Sequence, residues 1–147
     1  DCMLGRAEEA WETFRKVAPG NPDNPPSRSG AEAMAFVNMY RAHDYVYGES
    51  LYAWNTGTAA WMTFGLIEWI LGARRDYAGL RIDPCLTKEI TRAQVVRTFR
   101  GARFDIRLDN SAGRSTGTTS ITLNGDPIQG NLLPDLRSGE HRVNVVI

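Results

Sequence analysis

The sequence predicts an α+β chain of two unlike parts, helical first and strand-rich second. Three observations carry that prediction: an amphipathic helical pattern near the start, an almost wholly apolar helical stretch from Thr58 to Leu71, and a change beyond Gly79 to short runs of period two. Helices followed by strands imply two segregated layers or two domains, whereas a doubly wound sheet would alternate them. The division falls near Tyr77 to Leu80, giving a helical segment 1–78 and a strand-rich segment 79–147.

In the first segment Leu4, Ala7, Trp11, Phe14 and Ala18 recur at three- and four-residue steps, while Arg6, Glu8, Glu9, Glu12 and Arg15 occupy the other face. That pattern is an amphipathic helix, stopped by Pro19 and Gly20. Asn21 to Gly30 cannot continue it, because its prolines remove amide donors and push their predecessors into extended conformations, so a loop is expected there. From Ala31 to Tyr52 the aromatic residues Phe36, Tyr40, Tyr45, Tyr47 and Tyr52 are spread without a clean period, which reads as helix plus irregular chain. Thr58 to Leu71 is apolar on nearly every side, so a helix there needs neighbours all round it. Gly72 is suited to a left-handed terminus, and Arg74 and Arg75 to the negative end of the helix dipole.

The runs 80–82, 95–99, 103–108, 120–123 and 143–147 alternate apolar and polar residues and read as antiparallel strands. Asn124-Gly125 is the clearest hairpin turn, because a type I′ turn requires positive φ at both central positions.

Composition narrows the function. The chain is 42% hydrophobic and 23% charged with a formal charge of zero, which fits an ordinary globular protein and gives no basic field for nucleic acid. Fifteen of its seventeen cationic side chains are arginine, the residue suited to bidentate contact with carboxylates and phosphates; codon bias is the plainer explanation. Cys2 and Cys85 have no metal-ligand neighbours at short spacing and read as free thiols. His43 and His141 share no visible partner and read as two unrelated polar positions rather than a metal or acid–base pair. The longest apolar stretch is interrupted by Glu68 and is too short for a membrane span. The chain begins at Asp1, already in a helical pattern, which suggests a piece of a longer chain.

The most informative run for chemistry is Trp54-Asn55-Thr56-Gly57-Thr58-Ala59-Ala60-Trp61-Met62. Thr56 or Thr58 can cap the helix that follows, and Gly57 lets the backbone approach a ligand. Free amides at the positive end of the dipole then favour an oxyanion such as phosphate. The same residues would also serve merely to start a buried helix.

Three blocks taken together, Trp54 to Met62, Ile70 to Leu86 (I-L-G-A-R-R-D-Y-A-G-L-R-I-D-P-C-L) and Phe99 to Ile106 (F-R-G-A-R-F-D-I), resemble the carboxy-terminal part of glycoside hydrolase family 94. That family includes cellobiose, cellobionic acid and chitobiose phosphorylases and the end of cyclic glucan synthases. The resemblance implies that 1–78 supplies the last helices of an (α/α)6 catalytic barrel and that 79–147 is a carboxy-terminal antiparallel β-sandwich. It implies phosphate binding by Thr56 and Gly57, joined by a histidine and an arginine from upstream. It also implies an inverting reaction in which phosphate attacks the sugar of a β-linked disaccharide, giving a sugar 1-phosphate, while one aspartic acid protonates the leaving oxygen. An anionic phosphate is already a nucleophile, so the second carboxylate that an inverting hydrolase needs for its water is dispensable. The aspartate belongs upstream, so no catalytic residue is assigned within this chain, and the chain alone is expected to be inactive.

Three further residues are candidates for the sugar. Trp54, like Trp61, is suited to stacking on a sugar or to packing in a core. Glu32 falls where relatives have an E-P-Y-like stretch, although Ala33 and Met34 replace its proline and tyrosine; it is a sugar contact or an exposed charge. Arg28, in the proline-rich loop, reaches an acidic sugar or phosphate, or solvent. Asp83 is expected to shape a turn before Pro84. The expected partners are a disaccharide, phosphate as co-substrate, upstream barrel segments and a second copy in a homodimer. No cofactor, metal, nucleic acid or membrane is expected, and the expected location is cytoplasmic. The competing readings are a non-catalytic carbohydrate-binding or interfacial β-sandwich module, the phosphorylase-like end of a cyclic glucan synthase, and an inactive remnant.

Overall fold

The computed structural model describes all 147 residues. A 3-10 turn at Cys2–Leu4 leads into α1 (Ala7–Val17), which has Glu8 and Glu9 in its first turn and Arg15 and Lys16 in its last, each complementing the dipole. The loop expected at 21–30 contains one helical turn, α2 (Pro26–Ser29), with Pro26 at its first position and Gly30 in the left-handed conformation behind it.

Between 31 and 52 the structure corrects the sequence reading: no α-helix forms. Two-residue strands β1 (Met39–Tyr40) and β2 (Ser50–Leu51) pair antiparallel around a 3-10 turn at Asp44–Val46. Aromatic residues without a 3.6-residue period favour extended chain over helix, which accounts for the difference.

The apolar stretch is α-helical only over α3 (Thr58–Phe64) and continues as π-helix over Gly65–Ile70. No residue of α3 is buried, and Trp61 is 73% exposed. Gly72 then takes φ +71°, as its place at the helix end requires. Arg74 and Arg75 do not extend that helix end. They lie in β3 (Ala73–Asp76), where Arg74 pairs with Asp83 and Arg75 with Glu68.

The remaining strands are β4 (Gly79–Ile82), β5 (Arg92–Phe99), β6 (Ala102–Asp109), β7 (Ser120–Leu123), β8 (Asp126–Pro127), β9 (Leu132–Leu133) and β10 (Glu140–Val146). Tyr77 and Ala78, where the division was expected, form the turn joining β3 to β4, two strands of one sheet. Asn124 and Gly125 take φ 54° and 100° between paired Leu123 and Asp126, the conformation a type I′ turn needs. Contacts cluster the chain into two compact units, one formed by Asp1–Trp11 with Gly65–Ile147 and the other by Glu12–Phe64.

The larger unit holds a five-stranded sheet ordered β5-β6-β10-β7-β8 and a three-stranded sheet ordered β3-β4-β9. All pairings are antiparallel except β6 with β10, which run parallel, Phe104 opposite His141 and Ile106 opposite Val143. That exception corrects the all-antiparallel expectation. Its cause is the long connection from Asp109 to Glu140, which brings the chain back in its original direction, as no short hairpin can. Period two is kept: Ala102, Phe104, Ile106 and Leu108 of β6 are buried and the residues between them are not. With Leu80, Ile82, Ile121, Leu133, Val143 and Val145 they form the core of this unit.

Candidate functional site

The smaller unit carries the residues expected to bind phosphate and sugar. Its chain enters α3 through a strained stretch, with Tyr52 at φ 58° and Trp54 at φ 69°, both bulky residues in a region that ordinarily favours glycine. Such strain persists only where surrounding contacts hold it, and it is concentrated at functional sites. At Trp54 one contact is explicit: its indole Nε1 donates to Glu32 Oε1 at 2.9 Å, while the ring is 72% exposed. Two of the three sugar candidates are thereby joined across a long stretch of sequence.

At the helix start the Thr56 hydroxyl accepts the Thr58 amide at 3.0 Å and donates to Thr58 Oγ1 at 2.7 Å. The Gly57 carbonyl accepts the Trp61 amide at 3.1 Å, so Gly57 is the cap residue and Thr56 precedes it. Helical geometry leaves the amides of Ala59 and Ala60 without partners inside α3, and Gly57, Ala59 and Ala60 are all exposed in this chain. A Cβ on Gly57 would meet only Trp61 Cδ1, at an ordinary 3.8 Å. Nothing within the chain therefore demands glycine at 57.

Arg28 stands elsewhere in the unit. It is exposed, with its guanidinium 5.8 Å from the centroid of the Tyr47 ring, and no hydrogen bond or ion pair joins it to Trp54, Glu32 or Thr56. Trp54 and Trp61 are not core residues of this chain, since both rings are about three-quarters exposed. Tyr52 and Tyr47 of the same unit are each 61% exposed.

In the larger unit the structure assigns several side chains to architecture. Asp83 pairs with Arg74 of β3, whose guanidinium lies 4.5 Å from the Trp69 ring; the Asp83 carboxylate binds that side chain rather than the neighbouring backbone expected of a turn-shaping aspartate. His141 has both ring nitrogens engaged, Nε2 with the Ser138 carbonyl at 2.8 Å and Nδ1 with Asn124 Nδ2 at 3.1 Å. His43 stacks on Tyr45 at 5.6 Å. No group of three or more His, Cys, Asp or Glu side chains is placed to hold a metal ion. No helix is long and apolar enough to cross a membrane.

Sequence reasoning missed one buried charge cluster. Glu68, 6% exposed in the π-helical segment, accepts from Arg75 Nε at 2.6 Å and from Arg97 Nη2 at 2.5 Å; Arg97 also donates to the Ala73 carbonyl at 2.7 Å. The available signal was a single carboxylate in an otherwise apolar run, since such a charge is buried only with partners.

Comparison with known proteins adds three relatives and one family. Residues 1–72 match the family described as the glycosyl hydrolase 94 superfamily, catalytic domain. A 3-O-beta-D-glucopyranosyl-beta-D-glucuronide phosphorylase of Paenibacillus borealis is 36% identical over 99% of this chain and 19% of its own length. A solabiose phosphorylase of the same organism is 34% identical, again over 99% of this chain and 19% of its own length. An N,N'-diacetylchitobiose phosphorylase of Vibrio proteolyticus is 33% identical over all of this chain and 18% of its own. The chain thus spans about a fifth of the length of the curated relatives it matches.

Proposed function

The chain belongs to the glycosyl hydrolase 94 superfamily, and from that membership we propose that it forms the phosphate-binding end of a disaccharide phosphorylase. The observation that carries the reading is the similarity of essentially the whole chain to three disaccharide phosphorylases; the open start of α3 supports it. The remaining four-fifths of such an enzyme supplies the other barrel helices that an exposed, largely apolar α3 needs as neighbours.

In this reading an oxygen of inorganic phosphate attacks the anomeric carbon with inversion. The glycosidic bond breaks, and the leaving oxygen takes a proton from an acid outside this chain; the products are a sugar 1-phosphate and a free sugar. The amides at the start of α3 and the dipole behind them stabilise the anion. Thr56 holds the Thr58 amide and hydroxyl in place. With Thr56 donating to Thr58 Oγ1, the Thr58 hydroxyl proton stays available to a phosphate oxygen. The absence of a Cβ at Gly57 keeps the backbone open to the ligand, which accounts for a glycine that internal packing does not require. Trp54, held by Glu32, offers an exposed ring face to the sugar. Arg28 is the less supported candidate, since it sits against Tyr47.

The test is phosphate-dependent release of sugar 1-phosphate by the full-length enzyme with a panel of β-linked disaccharides. Release that requires phosphate supports the reading. Hydrolysis to two free sugars at the same rate with and without phosphate overturns it.

A further inference from the structure

We propose that Cys2 and Cys85 form a reversible intramolecular disulfide when the protein meets a low-molecular-weight disulfide. The two thiols are free, stand far apart in sequence, and line one cavity of about 230 Å3 together with Met3, Trp69 and Thr116. Independent contacts fix both ends. Cys2 opens a 3-10 turn closed by the Gly5 amide on the Cys2 carbonyl at 3.0 Å, and Gly5 faces Thr116, whose methyl lies 3.6 Å from where a Cβ would stand. Thr116 forms a β-bridge with Cys85. The Cys85 amide donates to the Ile70 carbonyl at 2.9 Å and the Leu86 amide to the Ser115 carbonyl at 3.0 Å, so the backbone carrying the second thiol is held on both sides.

The surroundings set the order of events. Cys85 is 4% exposed, whereas Cys2 is partly open to solvent. Burial, and then the neighbouring Cys2 thiol, push the Cys85 thiol up to about 12, so Cys85 is a poor first nucleophile at neutral pH. The Cys2 thiolate attacks one sulfur of the small disulfide; that S–S bond breaks, a mixed disulfide forms on Cys2, and one small thiolate leaves. Masking Cys2 removes that neighbour's share of the upward push, while burial keeps its own, so closure by Cys85 is the slow step. Cys85 then loses its proton to solvent and attacks the Cys2 sulfur, expelling the second small thiolate. Two protein thiols are oxidised and one small disulfide is reduced to two thiols, so electrons and protons balance. The bridge ties the turn before α1 to the segment after β4 and is undone by excess dithiol.

The experiment is incubation of the native protein with glutathione disulfide, followed by intact mass, thiol titration and a non-reducing digest. The expected result is a monomer that yields one Cys2–Cys85 cross-linked peptide, lighter by about 2 Da than its two reduced halves, in place of the two free-thiol peptides. A glutathione adduct that persists on Cys2, a disulfide-linked dimer, or two unreacted thiols would each overturn the proposal. C85S separates the steps: it is expected to stop at the Cys2 adduct, and a wild-type protein that stops at the same adduct refutes ring closure. C2S is expected to leave Cys85 reduced; modification of Cys85 there as fast as in wild type refutes the order.

Discussion

Replacing Glu68 by alanine tests whether the buried charge cluster holds the π-helical segment to β3 and β5, strands of two different sheets. The carboxylate side chain is 8% exposed, that of Arg97 15% and that of Arg75 58%. The Arg97 pair is therefore the buried one, and removing one partner of a buried pair costs about 3 to 5 kcal/mol because the other charge is left uncompensated. The Arg75 pair is more than half in water and adds about 0 to 1 kcal/mol. Arg97 keeps its bond to the Ala73 carbonyl and is partly able to rehydrate, which puts the total near the low end, about 3 kcal/mol. For a chain of this size that is a fall of roughly 6 to 12 °C in melting temperature. Urea denaturation followed by circular dichroism reads both the midpoint and its slope. R97A is expected to match E68A, because it strands the buried carboxylate instead, while R75A stays within about 1 kcal/mol of wild type. Losses below about 1 kcal/mol for E68A, or three equal losses, would refute the reasoning.

Three further outcomes follow from the same structure. At Gly72 φ is +71° and a Cβ would stand 2.2 Å from the backbone of Asp83 and Pro84, so G72A is expected to cost at least about 3 kcal/mol or to prevent folding. Gly65 has nothing within 4 Å, and G65A is expected to stay within about 1 kcal/mol of wild type by the same urea assay. Stability should fall in acid: Glu8 is held below its ordinary 4.5 by bonds from the Thr87 hydroxyl and the Lys88 amide, and Asp105 below its ordinary 3.8 by Gln94 and then Arg107. A carboxylate with a depressed folded value contributes stability that is complete above its unfolded value and is lost as pH falls through the folded one. Melting temperature should therefore hold above pH 4.5 and decline below it, and E8Q should flatten the decline. An unchanged slope for E8Q would remove Glu8 from the cause.

Much of the fold was legible because side-chain periodicity is a local property. The buried face of β6 and the Asn124-Gly125 turn could be read from neighbours along the chain. The parallel pairing of β6 with β10 could not, because strand direction depends on how the chain returns across the long connection between them. The π-helical turn was also hidden, since an apolar run has the same composition in either winding. At the candidate site the Thr56-Gly57 cap follows from local spacing, whereas the Trp54–Glu32 bond joins residues that no local pattern connects. Thr58 emerged as the free hydroxyl only once the Thr56 bond was placed.

The proposed phosphate role of Thr56 is tested most directly by steady-state kinetics of T56A in the full-length protein, varying phosphate and disaccharide separately. Losing the hydroxyl that orders Thr58 should weaken a charge-assisted contact by about 1.5 to 3 kcal/mol, a rise of roughly 10- to 150-fold in the phosphate KM. The disaccharide KM should stay within about twofold, because uniform binding of the sugar is untouched. A phosphate KM equal to that of the wild type, or an equal rise in both constants, would contradict an oxyanion site at the start of α3.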